Sequence, residues 1–116
     1  MKRNVSELKT KMNNHRAIKC EAIPNTWTVV SGTSGSEYMV RMTEPGVYRC
    51  GCMTDRYTKK GESCGCSHVA SVVKAVAEEE NRRLTLHDGA EAAKRQHRPV
   101  IEIGSGLFAT TRPVAA

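Results

Sequence analysis

The sequence predicts a small α+β domain, in which a three-stranded antiparallel meander is followed by a helix. Residues that favour strands alternate with glycine-containing turns between Thr26 and Cys50. Immediately after this region, a valine stripe at helical spacing runs from Val69 to Val76. The chain has 116 residues, a length that fits one domain. We expect residues 25–84 to form the main unit.

The N-terminal segment, residues 1–24, is predicted to contain a helix. Asn4 and Glu7 fit a capping box, in which two side chains bond to backbone N–H groups of the first turn. Three apolar residues follow at helical spacing, namely Val5, Leu8 and Met12. Because this apolar stripe is narrow, the helix is interpreted either as frayed or as docking on a partner. Pro24 is expected to end the segment.

Three strands are predicted between the N-terminal segment and the valine stripe. The stretch from Thr26 to Ser31 is rich in strand-forming residues, and GTSGS after it has the composition of a turn. The stretch from Glu37 to Met42 alternates between polar and apolar side chains. A further turn, EPG, precedes the third strand, VYRC, which ends at Cys50. The meander therefore leads directly into a group of cysteines.

The strongest helix prediction covers SHVASVVKAVAEEENRR, residues 67–83. Its apolar stripe consists of Val69, Val72, Val73 and Val76. Glu78 stands four residues before Arg82 and is expected to pair with it at the exposed end of the helix. The same spacing separates Glu79 from Arg83.

Residues 85–116 are predicted to form a short helix, a small hairpin and a loose tail. Asp88 and Glu91 fit a second capping box, and the helix must end before Pro99. The stretches VIEI, GSG and LFATT have the pattern of a hairpin, and RPVAA has that of a tail. We expect this segment to pack on the domain formed by residues 25–84.

The chain is basic, with a formal net charge of +6 and an isoelectric point of about 9.3. This charge favours contact with nucleic acid or another acidic partner. No apolar run approaches the ~20 residues that cross a bilayer, and the basic N-terminus lacks the apolar stretch of a signal peptide. We therefore expect a cytoplasmic protein, or a nuclear one in a eukaryote, without a membrane partner. Clustered cysteines are more typical of metal sites than of disulfides in these reducing compartments.

Four of the five cysteines and one histidine lie in the stretch CGCMTDRYTKKGESCGCSH. A C-x-C pair and a C-x-H pair are separated there by thirteen residues, and the four residues are Cys50, Cys52, Cys66 and His68. Two pairs of soft or borderline ligands separated by a loop are typical of a structural zinc site. Gly51 permits a positive φ in the first pair, and the helix N-terminus stabilises a thiolate in the second. Because large apolar residues are scarce, the zinc ion would stabilise a small core.

Cys64 leaves two alternative ligand sets open. One set uses both C-G-C motifs and comprises Cys50, Cys52, Cys64 and Cys66. The other pairs Cys64 with His68, four residues later. We prefer the set with one C-G-C motif and His68, because a histidine in the first turn of a valine-striped helix is otherwise unexplained. Cys64 is then a spare thiol. Buried cysteines without a metal are the remaining interpretation, and four cysteines interleaved with glycine argue against it.

The arrangement around these pairs resembles a known family. The residues that carry the resemblance are Tyr38, Val40, Cys50, Cys52, Cys66, His68 and Val69. They resemble the SWIM zinc finger, whose pattern is C-x-C, a variable loop and then C-x-H. The resemblance covers about half of the chain, roughly Trp27 to Arg83, and implies that the four cysteine and histidine positions bind zinc. Cys64 lies outside the pattern.

What the resemblance implies about function is DNA binding or protein contacts, since the family occurs in plant transposases, chromatin-remodelling ATPases and partners of recombination mediators. A site with four protein ligands leaves no open position at which a metal activates water. We therefore expect one structural Zn²⁺, no enzymatic activity and no small-molecule substrate. The signatures of zinc deaminases and of thioredoxin-like enzymes are absent.

The loop between the two ligand pairs, MTDRYTKKGES, is the predicted contact surface for nucleic acid, with DNA preferred to RNA. Its candidate residues are Arg56, Tyr57, Lys59 and Lys60. Three positive charges around one aromatic ring suit phosphate contacts combined with base stacking, although two lysines before a glycine also suit an ordinary solvated turn. Arg41 and Arg49 would extend this surface if they face solvent.

Two further hypotheses follow from the same sequence. A second basic group, Lys94, Arg95 and Arg98, is interpreted either as another contact surface or as a plain helix surface. The alternative function is a protein–protein adaptor with structural zinc, which docks on a partner such as a recombinase or transposase and does not touch nucleic acid.

Overall fold

The structure is a computed structural model that describes residues 5–32, 34–52, 56, 58–59, 61–104 and 107–114. The described residues form two antiparallel sheets and three α-helices, which confirms the predicted α+β class. In chain order the elements are α1 (Val5–Asn14), β1 (Arg16–Lys19), β2 (Thr26–Val30), β3 (Glu37–Glu44), β4 (Val47–Cys50), α2 (Ser67–Glu79), β5 (Arg82–Asp88), α3 (Ala90–Lys94), β6 (Val100–Gly104) and β7 (Leu107–Pro113).

The first sheet has the strand order β1-β2-β3-β4, so it contains four strands where the sequence predicted three. The additional strand is β1, within the segment that was predicted to be helical. It pairs antiparallel with β2, Ile18 standing opposite Thr28. Of its four residues only Ala17 packs against the core, so the strand lacks the apolar alternation by which the other strands were predicted.

The second sheet has the strand order β5-β7-β6. Its β6–β7 pair corresponds to the predicted hairpin, and β5 pairs with β7 from Arg82 opposite Pro113 to Asp88 opposite Leu107. The sequence had assigned Arg82 to the long helix instead. That helix ends at Glu79, because Asn81 takes a left-handed backbone conformation with φ of 62° and turns the chain into β5.

The capping predictions have two different outcomes. Asn4 of the first capping box lies outside the described residues. The second box was predicted with Asp88 as the cap, but Asp88 is the last residue of β5 and the N-cap of α3 is Gly89, which has φ of 99°. The chain needs this glycine because it passes directly from a strand into a helix.

A single cluster of buried side chains joins the two sheets and the helices. It includes Met12, Trp27, Val29, Val40, Val69, Val72, Val73, Leu86, Ile103, Leu107 and Ala109. The helix α2 lies at its centre, since it contacts α1, all four strands of the first sheet, and both β5 and β6. Val5 and Leu8 pack against the same cluster, so the apolar stripe of α1 faces the protein's own core.

The second sheet also contacts the second C-G-C motif, Cys64 to Cys66. Gly104 has φ of 132°, and a Cβ atom built there would clash with the carbonyl oxygen of Ser63 and lie 2.9 Å from the nitrogen of Gly65. The end of β6 therefore packs against the backbone around Cys64. Among the residues described, none of the helices is both long and apolar enough to span a membrane.

Candidate metal centre

Four side chains from two separate elements converge at the junction of the first sheet and α2. They are Cys50, Cys52, Cys66 and His68, whose ligand atoms all lie within 4.8 Å of one another. Cys50 is the last residue of β4, and Cys52 follows in the turn after it. Cys66 occupies the N-cap position of α2, and His68 lies in the first turn. The ligand atoms of the predicted set are thus brought together.

The donor set and its spacing fit a tetrahedral metal ion. The Sγ atom of Cys50 lies 3.6 Å from Nδ1 of His68. Tetrahedral zinc, with zinc–sulfur and zinc–nitrogen bonds of about 2.3 and 2.0–2.1 Å, places a sulfur and a nitrogen ligand about 3.6 Å apart. Three thiols and one imidazole also form one of the known structural zinc sets. The residues present therefore fit a bound metal of this class.

Gly51, between the first two cysteines, does not have the positive φ that the sequence suggested. It is not among the described glycines with a positive φ, and a Cβ atom at this position would meet nothing within 4 Å. The C-x-C turn therefore forms without the special backbone freedom of glycine. Its backbone N–H donates to the carbonyl oxygen of Met39 at 3.2 Å, which keeps the turn attached to β3.

Cys64 lies beside the group of four. Its side chain is fully buried, and its Sγ atom lies 3.9 Å from that of Cys52. Its backbone N–H donates to the carbonyl oxygen of Tyr48 at 2.7 Å, so the second C-G-C motif is attached to β4. Cys64 nevertheless does not belong to the described group whose ligand atoms are all mutually close. The geometry therefore favours the set that includes His68.

The thiols of this cluster have strongly divergent acidities. Hydrogen bonds to its sulfur, first from Cys50 and then from Cys64 and Cys66, lower the pKa of Cys52. The hydrogen bond with Cys52 raises the pKa of Cys50 to about 12. The pKa of Cys64 is raised chiefly by its hydrogen bond with Cys52, and that of Cys66 by its hydrogen bond with Cys50. The cluster thus stabilises a thiolate at Cys52, a negative charge suited to holding a cation.

Two aromatic rings enclose the imidazole of His68. The ring of Tyr38, on β3, stacks on it with centroids 4.1 Å apart and an interplanar angle of 26°. The ring of His15, which follows α1, stacks on it at 4.8 Å and 27°. This pair of contacts restricts rotation of the imidazole, so that Nδ1 stays directed at Cys50.

His15 is a component of the site that sequence reasoning missed. Its Nε2 lies 2.9 Å from the hydroxyl of Ser67, while its Nδ1 is buried and has no hydrogen-bond partner among the described residues. Burial, followed by the nearby charges of His68 and Lys11, lowers its pKa. No spacing pattern relates His15 to the cysteines, because the fold alone brings the end of α1 to the start of α2.

Of the candidate nucleic-acid-binding residues, Arg56 and Lys59 are exposed, whereas Tyr57 and Lys60 lie outside the described residues. The guanidinium of Arg49 donates to the carbonyl oxygens of Thr58 and Lys59, each at 3.4 Å. These bonds attach the loop to the outer face of β4.

Arg41 and Arg49 both lie on this outer face. In the sequence prediction they belonged to the contact surface only if they face solvent. Arg41 stands directly opposite Arg49 in the β3–β4 register. Their neighbours Val40 and Cys50 are buried in the core, and successive side chains of a strand point to opposite faces. Arg41 is exposed and Arg49 is half-buried. The arginine pair and the backbone of the loop at Thr58 and Lys59 therefore lie on the same outer face of the first sheet.

Comparison of the chain with models of known protein families, with curated proteins and with solved structures finds no match. The resemblance to the SWIM zinc finger thus rests on the sequence motif alone. What that geometry supports is a metal-binding group of three cysteines and one histidine in a small α+β fold.

Proposed function

We propose that this chain is a zinc-binding module in which the metal has a structural role. The observation that carries the proposal is the convergence of Cys50 and Cys52, after β4, with Cys66 and His68, at the start of α2. Thiolates and imidazole are the ligands that tetrahedral zinc favours. A zinc ion held there joins the first sheet to the central helix, and the free energy of metal binding contributes directly to folding.

The same ligand count argues that the module is not an enzyme. When four protein side chains hold the ion, no position is open for a water molecule or a substrate. The cysteines must stay reduced to bind metal, so the proposed setting is the cytoplasm, or the nucleus in a eukaryote.

We also propose that the module binds nucleic acid, with DNA favoured by the resemblance to the SWIM finger. The supporting feature is the loop–sheet surface, defined by Arg41, Arg49, Arg56 and Lys59. The bonds from Arg49 to the loop carbonyls keep the loop cations beside the sheet arginines. Like charges directly opposite each other in a sheet repel, and phosphate groups of a nucleic acid would relieve that repulsion.

Salt dependence of DNA retention tests this proposal. The zinc-loaded protein should bind a fluorescent duplex at low salt, and binding should weaken steeply as salt rises. Replacing Arg41→Gln together with Lys59→Gln should lower the slope of log affinity against log salt by about 2. The matched control, Lys9→Gln with Lys19→Gln, also removes two exposed cations and should leave the slope closer to that of the wild type. Absence of retention at low salt would rule out the DNA role.

One observation favours the adaptor function as a second candidate. Ile18 and Met39 are 46% and 55% exposed, and Thr28 between them is their partner in the register on both sides. This apolar row lies on the same outer face as Arg41, and a protein partner such as a recombinase or transposase would cover it. Replacing Ile18→Ser and Met39→Ser should abolish partner binding in the adaptor function and leave DNA retention unchanged.

A further inference from the structure

A small polar pocket of about 90 Å³ lies at the second sheet, and the proposed function makes no use of it. Its lining residues are Thr85, Gln96, Arg98, Thr110, Thr111 and Arg112. Two of these residues are cationic, three carry hydroxyls and one carries an amide, so none of them contributes a carboxylate. The residues that line the pocket therefore carry positive charge and no negative charge.

The strand register explains how the pocket arises. Thr85 of β5 stands opposite Thr110 of β7, which in turn stands opposite Val100, the first residue of β6. Beyond Thr110, β7 continues without a β6 partner. Arg98 occupies that place, with its Nη1 atom donating to the carbonyl oxygen of Thr111 at 3.5 Å. The guanidinium of Arg98 is thus brought to the uncovered end of β7.

A further arginine, Arg83, adds positive charge on the face of the sheet that carries the pocket. Arg83 stands directly opposite Arg112 in the β5–β7 register. Arg82 donates from Nε to the hydroxyl of Thr111 at 2.8 Å and from Nη2 to its carbonyl oxygen at 3.1 Å. Because successive side chains of a strand point to opposite faces, Arg83 and Arg112 share the face of Thr85, whereas Arg82 lies on the other face with Thr111. Among the described residues, no carboxylate forms an ion pair with Arg83, Arg98 or Arg112.

We propose that this pocket binds a single phosphate group through Arg98 and Arg112, with the hydroxyl of Thr85 as a further donor. Planar guanidinium groups match the paired oxygens of phosphate, and an anion would relieve the repulsion between Arg112 and Arg83. The volume lies far below the roughly 300–1,000 Å³ of pockets that enclose whole drug-sized ligands, so it suits one tetrahedral group. The group belongs either to a nucleic-acid backbone or to a small phosphate compound.

The hydroxyl of Thr110 has a different role. It lies 2.8 Å from Nε2 of His87, on the neighbouring strand, so this hydroxyl holds the sheet together at the base of the pocket. Thr110 is also buried, with 3% of its surface exposed. The helix α3, which ends shortly before Gln96, contacts β7. The base of the pocket at Thr110 is therefore fixed by the fold, while Arg112 at its edge is exposed and accessible to a ligand.

Titration of the zinc-loaded protein with inorganic phosphate tests the proposal, with the Nε–Hε resonances of arginine followed by NMR. Phosphate should cause saturable shifts at Arg98 and Arg112, while chloride at the same ionic strength should not. Arg112→Gln should weaken phosphate binding about tenfold, as expected for a lost hydrogen bond to a charged group. Arg112→Lys should bind phosphate more tightly than Arg112→Gln, since lysine keeps the positive charge but lacks the paired N–H donors of the guanidinium group. Arg16→Gln, an exposed cation of the first sheet, is the matched control and should bind as the wild type does.

The proposal is overturned if chloride reproduces the shifts, or if Arg112→Gln binds phosphate as tightly as the wild type. An added single-stranded oligonucleotide identifies the source of the phosphate. Displacement of inorganic phosphate by the oligonucleotide supports a backbone phosphate, and phosphate binding without such displacement supports a small phosphate compound. The site does not rest on the proposed DNA role, because loss of DNA retention with intact phosphate binding would contradict only that role.

Discussion

The imidazole of His68 lies between the rings of Tyr38 and His15, whose centroids are 4.1 and 4.8 Å from its own. Three elements meet in this stack, because Tyr38 lies on β3, His15 follows α1 and His68 belongs to α2. His68, which completes the candidate group of four, is therefore positioned by packing as well as by its place in the helix. The candidate metal centre and the fold share their contacts at this point.

Replacing Cys52→Ser should release the metal and unfold the protein, because a small core then loses the free energy of metal binding. Metal content by mass spectrometry, combined with thermal unfolding, provides the measurement. Cys20→Ser is the matched control, since Cys20 is a half-buried cysteine outside the group and should keep its metal. Unchanged metal content in Cys52→Ser would contradict the ligand assignment.

Cys64→Ala should retain one metal ion per chain. The substitution removes a fully buried thiol, so a loss of about 1 kcal/mol in unfolding free energy is expected from the cavity. Chemical denaturation measures the loss, and metal analysis measures the stoichiometry. If this variant loses its metal while His68→Ala keeps it, the set of four cysteines is the correct one.

His15→Ala should lower the unfolding free energy by about 1 kcal/mol, since stacked aromatic rings contribute roughly 0.5–1.5 kcal/mol. The metal should stay bound, because His15 lies outside the candidate group of four. Denaturation of the metal-loaded protein provides the measurement. Asn13→Ala, at an exposed neighbouring position, should not destabilise the protein. Equal stabilities of the two variants would show that the stack contributes nothing.

Gly104→Ala should destabilise the protein by about 1–3 kcal/mol, the cost of forcing a side chain into a sparsely populated backbone conformation. The added methyl would also meet the backbone of Ser63 and Gly65. Gly51→Ala is the comparison, because its Cβ would lie in open space. Thermal unfolding of both variants checks the difference. A destabilised Gly51→Ala with an unaffected Gly104→Ala would contradict the described packing.

The features that the sequence made predictable are those with local spacing. The C-x-C and C-x-H pairs and the stripe containing Val69 and Val73 each lie within a few residues, so period and spacing identify them. The ligands at Cys50 and His68 could therefore be related to each other before the fold was known. The helical conformation of α2 was predicted from the same kind of local pattern.

The features that were missed depend on tertiary contacts. β1 is a strand only because it pairs with β2, and its Ile18 remains 46% exposed. The sequence did not predict β5, because Arg82 continued the charge pattern of α2. The left-handed turn at Asn81 has no distinctive sequence pattern. His15 reaches the metal centre only through the packing of α1 on α2. None of these relationships has a short-range signature.

The most direct test of the central claim is the zinc content of the purified protein, measured by native mass spectrometry before and after chelation. We predict one zinc ion per chain, and loss of the folded state when a chelator removes it. A chain that contains no zinc under zinc-replete conditions, or that stays equally folded after the zinc is removed, would contradict it.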